Sequence, residues 1–113
     1  MMLRFLGIAA FASTLICQAL AAEEMAIWKT HALEAIQQKR GVERVSWKTP
    51  GDNVLWVDVQ PDTYHSVGFA RYLCTTLDAA GLPPGVRTTI WIFDPAAHRR
   101  GGWPLGDAKC VGH

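Results

Sequence analysis

The sequence has few of the side-chain arrangements that support catalysis. It contains only three serines, Ser13, Ser46 and Ser66, and none of them lies in a G-x-S-x-G motif. No two of its four histidines have the i, i+4 spacing of a helical metal site, and its aspartates lack the spacing of a calcium loop. We therefore expect no catalytic residue, no metal site and no cofactor.

An excess of charge of one sign is also missing. The chain has 11 lysines and arginines against 10 aspartates and glutamates, and the two signs balance if Arg4 is removed with an N-terminal segment. A neutral chain lacks the positive charge that sequence-independent nucleic-acid binding requires. No run after residue 22 is apolar for long enough to cross a bilayer. These absences exclude a nucleic-acid partner and a stable membrane span in the processed chain.

The N-terminal segment has the features of an export signal. Arg4 precedes an apolar run over residues 5–16, and Ala19-Leu20-Ala21 provides the small residues that a signal peptidase requires. We predict a signal peptide over residues 1–21 and one small domain over residues 22–113, in a periplasmic or secreted protein. The uncharged run over residues 5–22 leaves an uncleaved anchor as the alternative, because it is close to spanning length.

Cysteine is scarce, and export would determine both which cysteines remain and whether they are oxidised. Removal of the signal would leave Cys74 and Cys110, which we expect to form a disulfide in an oxidising compartment. In the chain-entropy model such a loop stabilises the fold by about 4 kcal/mol. The two residues have no C-x-x-C spacing, so a reactive or metal-binding thiol pair is the less favoured alternative.

Hydrophobic periodicity predicts five elements in the order αββαβ. Helices are expected over residues 23–40 and from Asp62 or Thr63 to residue 80, because apolar residues recur there at three- and four-residue steps. Strands are expected over residues 42–47, 54–59 and 86–93, the first two joined as a hairpin and the last two parallel.

These elements indicate an α+β fold, with a three-stranded sheet and two helices on one face. Residues 96–113 are expected to form an irregular, disulfide-tethered tail with one helical turn near residues 96–99. The element order resembles that of the BON domains of exported bacterial proteins. This resemblance is in the order of the elements alone, so it implies no function and no binding residue.

The strands carry an unusual number of aromatic residues. In the second and third strands, Asp58 and Arg87 indicate the outward set, which then includes Trp56, Trp91 and Phe93. The first strand is ambiguous, and the alternative in which Glu43 faces outward also places Trp47 on this face. We name Trp47, Trp56, Trp91 and Phe93 as candidate binding residues.

Two explanations remain open for such a face. The tail could fold over it, with Trp103 packed in a second core layer, or the face could be a binding surface for a protein or small ligand, or a homodimer interface. We favour an exported, non-catalytic binding module.

The alternative is a small enzyme or metal-binding protein that uses His65, His98 and Asp94. His98 also begins the densest basic patch, His98-Arg99-Arg100, which we interpret as a solvated loop in preference to a contact for an anionic ligand or headgroup.

Overall fold

The computed structural model describes residues 27–49, 51–60, 62 and 66–113, without the side chains of residues 66 and 67. The predicted signal peptide, His65 and the first turn expected for the N-terminal helix lie outside these residues. Within them, no helix is both long and apolar enough to cross a bilayer.

The described part of the chain forms three helices and four strands. Helix α1 covers residues 27–37. It is followed by strand β1 (Val42–Trp47), strand β2 (Val54–Val59), helix α2 (Ser66–Ala80), strand β3 (Arg87–Phe93), helix α3 (Pro95–Arg99) and strand β4 (Gly106–Val111). The expected α+β class is confirmed, but three strands and two helices were too few. The helical turn expected near residues 96–99 is present as α3, and much of the remaining segment expected to be irregular forms β4.

The sheet has the strand order β1-β2-β3-β4. Strands β1 and β2 form an antiparallel hairpin, β2 and β3 are parallel, and β3 and β4 are antiparallel. Helix α2 is therefore the crossover connection that parallel pairing requires. It ends at Ala80 and is followed by Gly81, whose φ of 107° is a conformation that glycine adopts without strain.

The main core lies between one face of this sheet and helices α1 and α2. Alternate residues of β2 and β3 point into it, because successive strand side chains point to opposite faces. Its largest fully buried side chains come from α1, α2, β2 and β3, and they are Ile36, Leu55, Val57, Val59, Leu73, Leu77, Thr88, Ile90 and Ile92. Ala108 and Cys110 extend this core onto β4.

The disulfide between Cys74 and Cys110 is confirmed, and their Cα atoms are 5.3 Å apart. It joins α2 to β4 at the edge of the sheet, on the helix side. This covalent link fixes β4 against α2. We call the opposite face of the sheet the open face.

Candidate functional site

The strand register aligns one row of residues across all four strands. Ser46 pairs with Trp56, Trp56 with Trp91, and Trp91 with Asp107. Buried Leu55 and Val57 flank Trp56 in sequence, and Ile90 and Ile92 flank Trp91, so this row lies on the open face. Two indoles and a carboxylate thus become neighbours although they are far apart in the sequence.

Helix α3 covers one end of the open face. It has only five residues, so it requires tertiary contacts for its stability. Asp94 caps it by accepting a hydrogen bond from the Ala96 amide at 3.4 Å, and Pro95 occupies its first position. The helix thereby brings His98 onto the strands.

His98 makes three contacts with the sheet. Its Nδ1 lies 2.6 Å from Asp58 Oδ1. Its ring stacks on Phe93 at a centroid distance of 4.0 Å and meets the Trp56 ring edge-on at 4.8 Å. This imidazole therefore anchors α3 and forms part of the wall beside Trp56.

An apolar groove lies next to this wall. We call it the aromatic groove, and its volume is about 610 Å³. Its lining residues come from β2, β3, α3, β4 and the loop before β4, and they are Trp56, Trp91, Phe93, His98, Gly101, Gly102, Trp103, Pro104 and Asp107. Such a volume suits a small ligand or a few side chains of a partner.

Two tryptophans of the groove have unusual surroundings. Trp103 is 92% exposed, so it does not pack as part of a second core layer. The buried Nε1 of Trp56 has no hydrogen-bond partner among the described residues, although a buried N–H normally has one. The Asp107 side chain likewise forms no hydrogen bond or ion pair with a described residue, and Asp107 is exposed.

The structure brings three of the four predicted aromatic residues together. Trp56 and Phe93 have ring centroids 6.1 Å apart, and those of Trp91 and Phe93 are 6.3 Å apart. Phe93 is only 4% exposed, because His98 stacks on it. Trp56 and Trp91 are partly buried and face the groove.

The expected outward position of Trp47 is wrong. Trp47 packs against the main core, with its ring 5.4 Å from that of Trp28 and its Nε1 donating to the Lys29 carbonyl at 3.2 Å. An irregularity between Val42 and Arg44 shifts the register of β1. As a result Val42 and Trp47 both contact the core despite their odd spacing, and Trp47 does not belong to the groove.

The residues of the alternative enzyme or metal site are not brought together in the described part of the chain. His98 contacts Asp58 rather than Asp94, whose carboxylate caps α3. Among the described residues, no three histidine, cysteine, aspartate or glutamate side chains are grouped to hold a metal ion. A second hollow, of about 260 Å³, shares Trp56 and His98 with the groove and is also lined by Arg44, Ser46, Asp58 and Arg99.

Sequence reasoning missed two lining residues with polar or aromatic side chains. The sequence predicts no β4 and therefore does not place Asp107, and it indicates Trp103 only as a cover for the face. The alternation of apolar Ala108 and Cys110 with polar Asp107 and Lys109 was the signal that could have identified β4. No protein-family model, curated protein or solved structure matches this chain.

Proposed function

We propose that this protein is an exported, non-catalytic binding module and that the aromatic groove holds a ring or an apolar side chain of its ligand or protein partner. The observation that carries the proposal is the groove itself. Three tryptophans line one concave surface outside the main core, and Trp103 stays almost fully exposed there. Monomers rarely leave such aromatic area exposed without a use.

The geometry supports binding in two ways. Trp56 and Trp91 stand on neighbouring strands that the buried core holds in register, so the floor of the groove is rigid before a ligand arrives. Trp103 follows Gly101-Gly102, where the chain lacks side chains and Gly101 has a positive φ of 71°. The groove therefore combines a fixed floor with an exposed rim, and tryptophan is enriched among the residues that dominate binding energy.

We expect a fluorescent hydrophobic dye, anilinonaphthalene sulfonate, to bind the folded protein saturably at one site. Trp91→Ala and Trp103→Ala should each weaken this binding at least about fivefold, which corresponds to roughly 1 kcal/mol of lost contact. Tyr72→Ala is the matched control, because Tyr72 is 50% exposed on α2. Equal losses in all three variants, or dye binding without saturation, would contradict a site in the groove.

The hollow beside His98 supports a second candidate, a small enzyme. The Asp58–His98 pair has the arrangement that orients a general base, and Ser46 shares the hollow. A fluorophosphonate probe tests it, since this reagent labels activated serines. Labelling that Ser46→Ala abolishes would favour the enzyme, and no labelling would favour the binding module.

A further inference from the structure

The loop that joins α3 to β4 exposes two large apolar side chains. Trp103 is 92% exposed and Leu105 is 44% exposed, with Pro104 between them. An indole has an apolar body and a polar N–H, and this combination favours the interface between a bilayer and water. These two side chains form a small apolar tip on the surface.

Positive charge lies immediately before this tip. Arg99 and Arg100 are both exposed, and neither forms an ion pair with a described residue. Lysine and arginine beside an interfacial apolar group attract the negative headgroups of anionic lipids. The segment over residues 99–105, which we call the tip loop, thus has both components of a peripheral membrane contact.

The near balance of 11 basic and 10 acidic residues in the chain conceals an uneven charge distribution. The open face and residues 94–100 carry five cations, Arg44, Arg87, Arg99, Arg100 and Lys109, against three carboxylates, Asp58, Asp94 and Asp107, with Glu43 exposed beside Arg44 in β1 as a fourth. Two of these carboxylates are already engaged, one with His98 and one as the cap of α3. The open face therefore has a net positive charge, which is complementary to an anionic surface.

We propose that the tip loop docks this protein on an anionic lipid bilayer, with Trp103 and Leu105 in the headgroup region and Arg99 and Arg100 against the lipid charges. The contact is weak and reversible, because one small apolar tip gives only marginal membrane affinity without electrostatic attraction. Binding therefore requires anionic lipid and falls as salt screens the charges. The proposal does not depend on what occupies the aromatic groove.

Vesicle binding tests this proposal. The probe is phosphatidylcholine vesicles with and without phosphatidylglycerol, and the protein is used as isolated after export, with its N-terminus identified by mass spectrometry. We expect co-sedimentation with the anionic vesicles at low salt, loss of binding at high salt, and a blue shift of tryptophan emission that Trp103→Ala abolishes. Any membrane affinity of the N-terminal segment is common to all variants, so the comparison between variants isolates the tip loop.

Two pairs of substitutions separate the effect of the charge in the tip loop from the effect of the total charge of the protein. The double variant Arg99→Gln, Arg100→Gln should weaken binding to the anionic vesicles about five- to thirtyfold, from roughly 1 kcal/mol for each cation near the surface. The control pair Arg40→Gln, Arg71→Gln removes the same charge from exposed positions elsewhere and should change binding less than about twofold.

Three outcomes would overturn the proposal. The first is that the two pairs of substitutions weaken vesicle binding equally, and the second is that the protein binds both vesicle types equally. The third is that soluble glycerol phosphate displaces the protein from the vesicles, which would indicate a phosphate pocket instead of a surface contact. Trp91→Ala distinguishes this contact from the proposed groove function. It should weaken dye binding at least about fivefold and leave vesicle binding intact.

Discussion

Gly112 lies where the chain has no room for a side chain. Its amide donates to the Val86 carbonyl and its carbonyl accepts from the Gly85 amide, both at 3.0 Å. A Cβ at this position would come within 1.9 Å of the Pro83 carbonyl oxygen. Since backbone cannot move aside as a flexible side chain does, the close approach depends on glycine.

We expect Gly112→Ala to lower the free energy of unfolding by roughly 1–3 kcal/mol, the usual cost of forcing extra atoms into a packed region. Urea unfolding followed by circular dichroism measures this change. Gly68→Ala is the matched control, because open space surrounds Gly68 in helix α2. It should be neutral or stabilise the protein by up to about 1 kcal/mol, and equal destabilisation by both variants would contradict the steric explanation.

Trp47 and Trp56 show what could be predicted at single positions. The alternation of β2 and β3 placed Trp56 and Trp91 on the open face, because two-residue periodicity holds in a regular strand. Trp47 was misplaced because the irregularity near Val42 changes which residues of β1 face inward. At this irregularity β1 has one residue more than β2. Nothing in the polar pair Glu43-Arg44 indicates it in the sequence.

Helix α3 depends on contacts made by very few side chains. His98 supplies the hydrogen bond to Asp58 and the stack on Phe93, and Asp94 supplies the cap. The backbone after the helix turns through amides that donate to the carbonyls of Ala97 and His98. The geometry of both α3 and the tip loop therefore depends on the attachment of one imidazole.

We expect His98→Ala to release α3 locally while the main core stays folded, because it removes the hydrogen bond to Asp58 and leaves Asp58 partly buried without its partner. Hydrogen exchange of the amides of residues 98–102 should accelerate roughly five- to a hundredfold. His113→Ala is the control, since His113 is 89% exposed and lies 3.9 Å from Asp78. Unchanged exchange in His98→Ala would contradict this anchoring role.

Strand β4 was the element that sequence reasoning could not place. Its residues include Gly106, Asp107 and Lys109, which are depleted in strands. Among the described strands it pairs with β3 alone, and it buries only Ala108 and Cys110, so tertiary contacts rather than intrinsic propensity determine its conformation. By contrast, the bounds of β1 and β2 matched the prediction, because their β-branched runs are separated by clear turn residues.

The whole molecule separates the residues that stabilise it from those of the candidate site. The helix face of the sheet holds the main core and the disulfide, whereas the open face holds the aromatic groove. The disulfide closes a loop between residues 36 positions apart and fixes β4 against α2. Stability and binding should therefore respond to different substitutions.

We expect the double variant Cys74→Ala, Cys110→Ala to lose roughly 2–5 kcal/mol of stability and to show a steeper urea dependence, because the unfolded chain is no longer cross-linked and expands. Urea unfolding followed by circular dichroism gives both quantities. Trp103→Ala is the contrasting control and should leave the unfolding midpoint unchanged, as its side chain is almost fully exposed. An unchanged midpoint in the cysteine variant would contradict the stabilising role of the disulfide.

The contact between Trp28 and Trp47 has an optical consequence. Their rings lie 5.4 Å apart with planes at 82°, close enough for the electronic transitions of the two indoles to couple. Such coupling splits an absorption band and produces paired circular-dichroism signals of opposite sign. Trp103 is far more exposed, and the wavelength of its fluorescence emission responds instead to changes in its solvent exposure. One chain thus carries two native chromophore signals, and each can be followed in the same sample without a label.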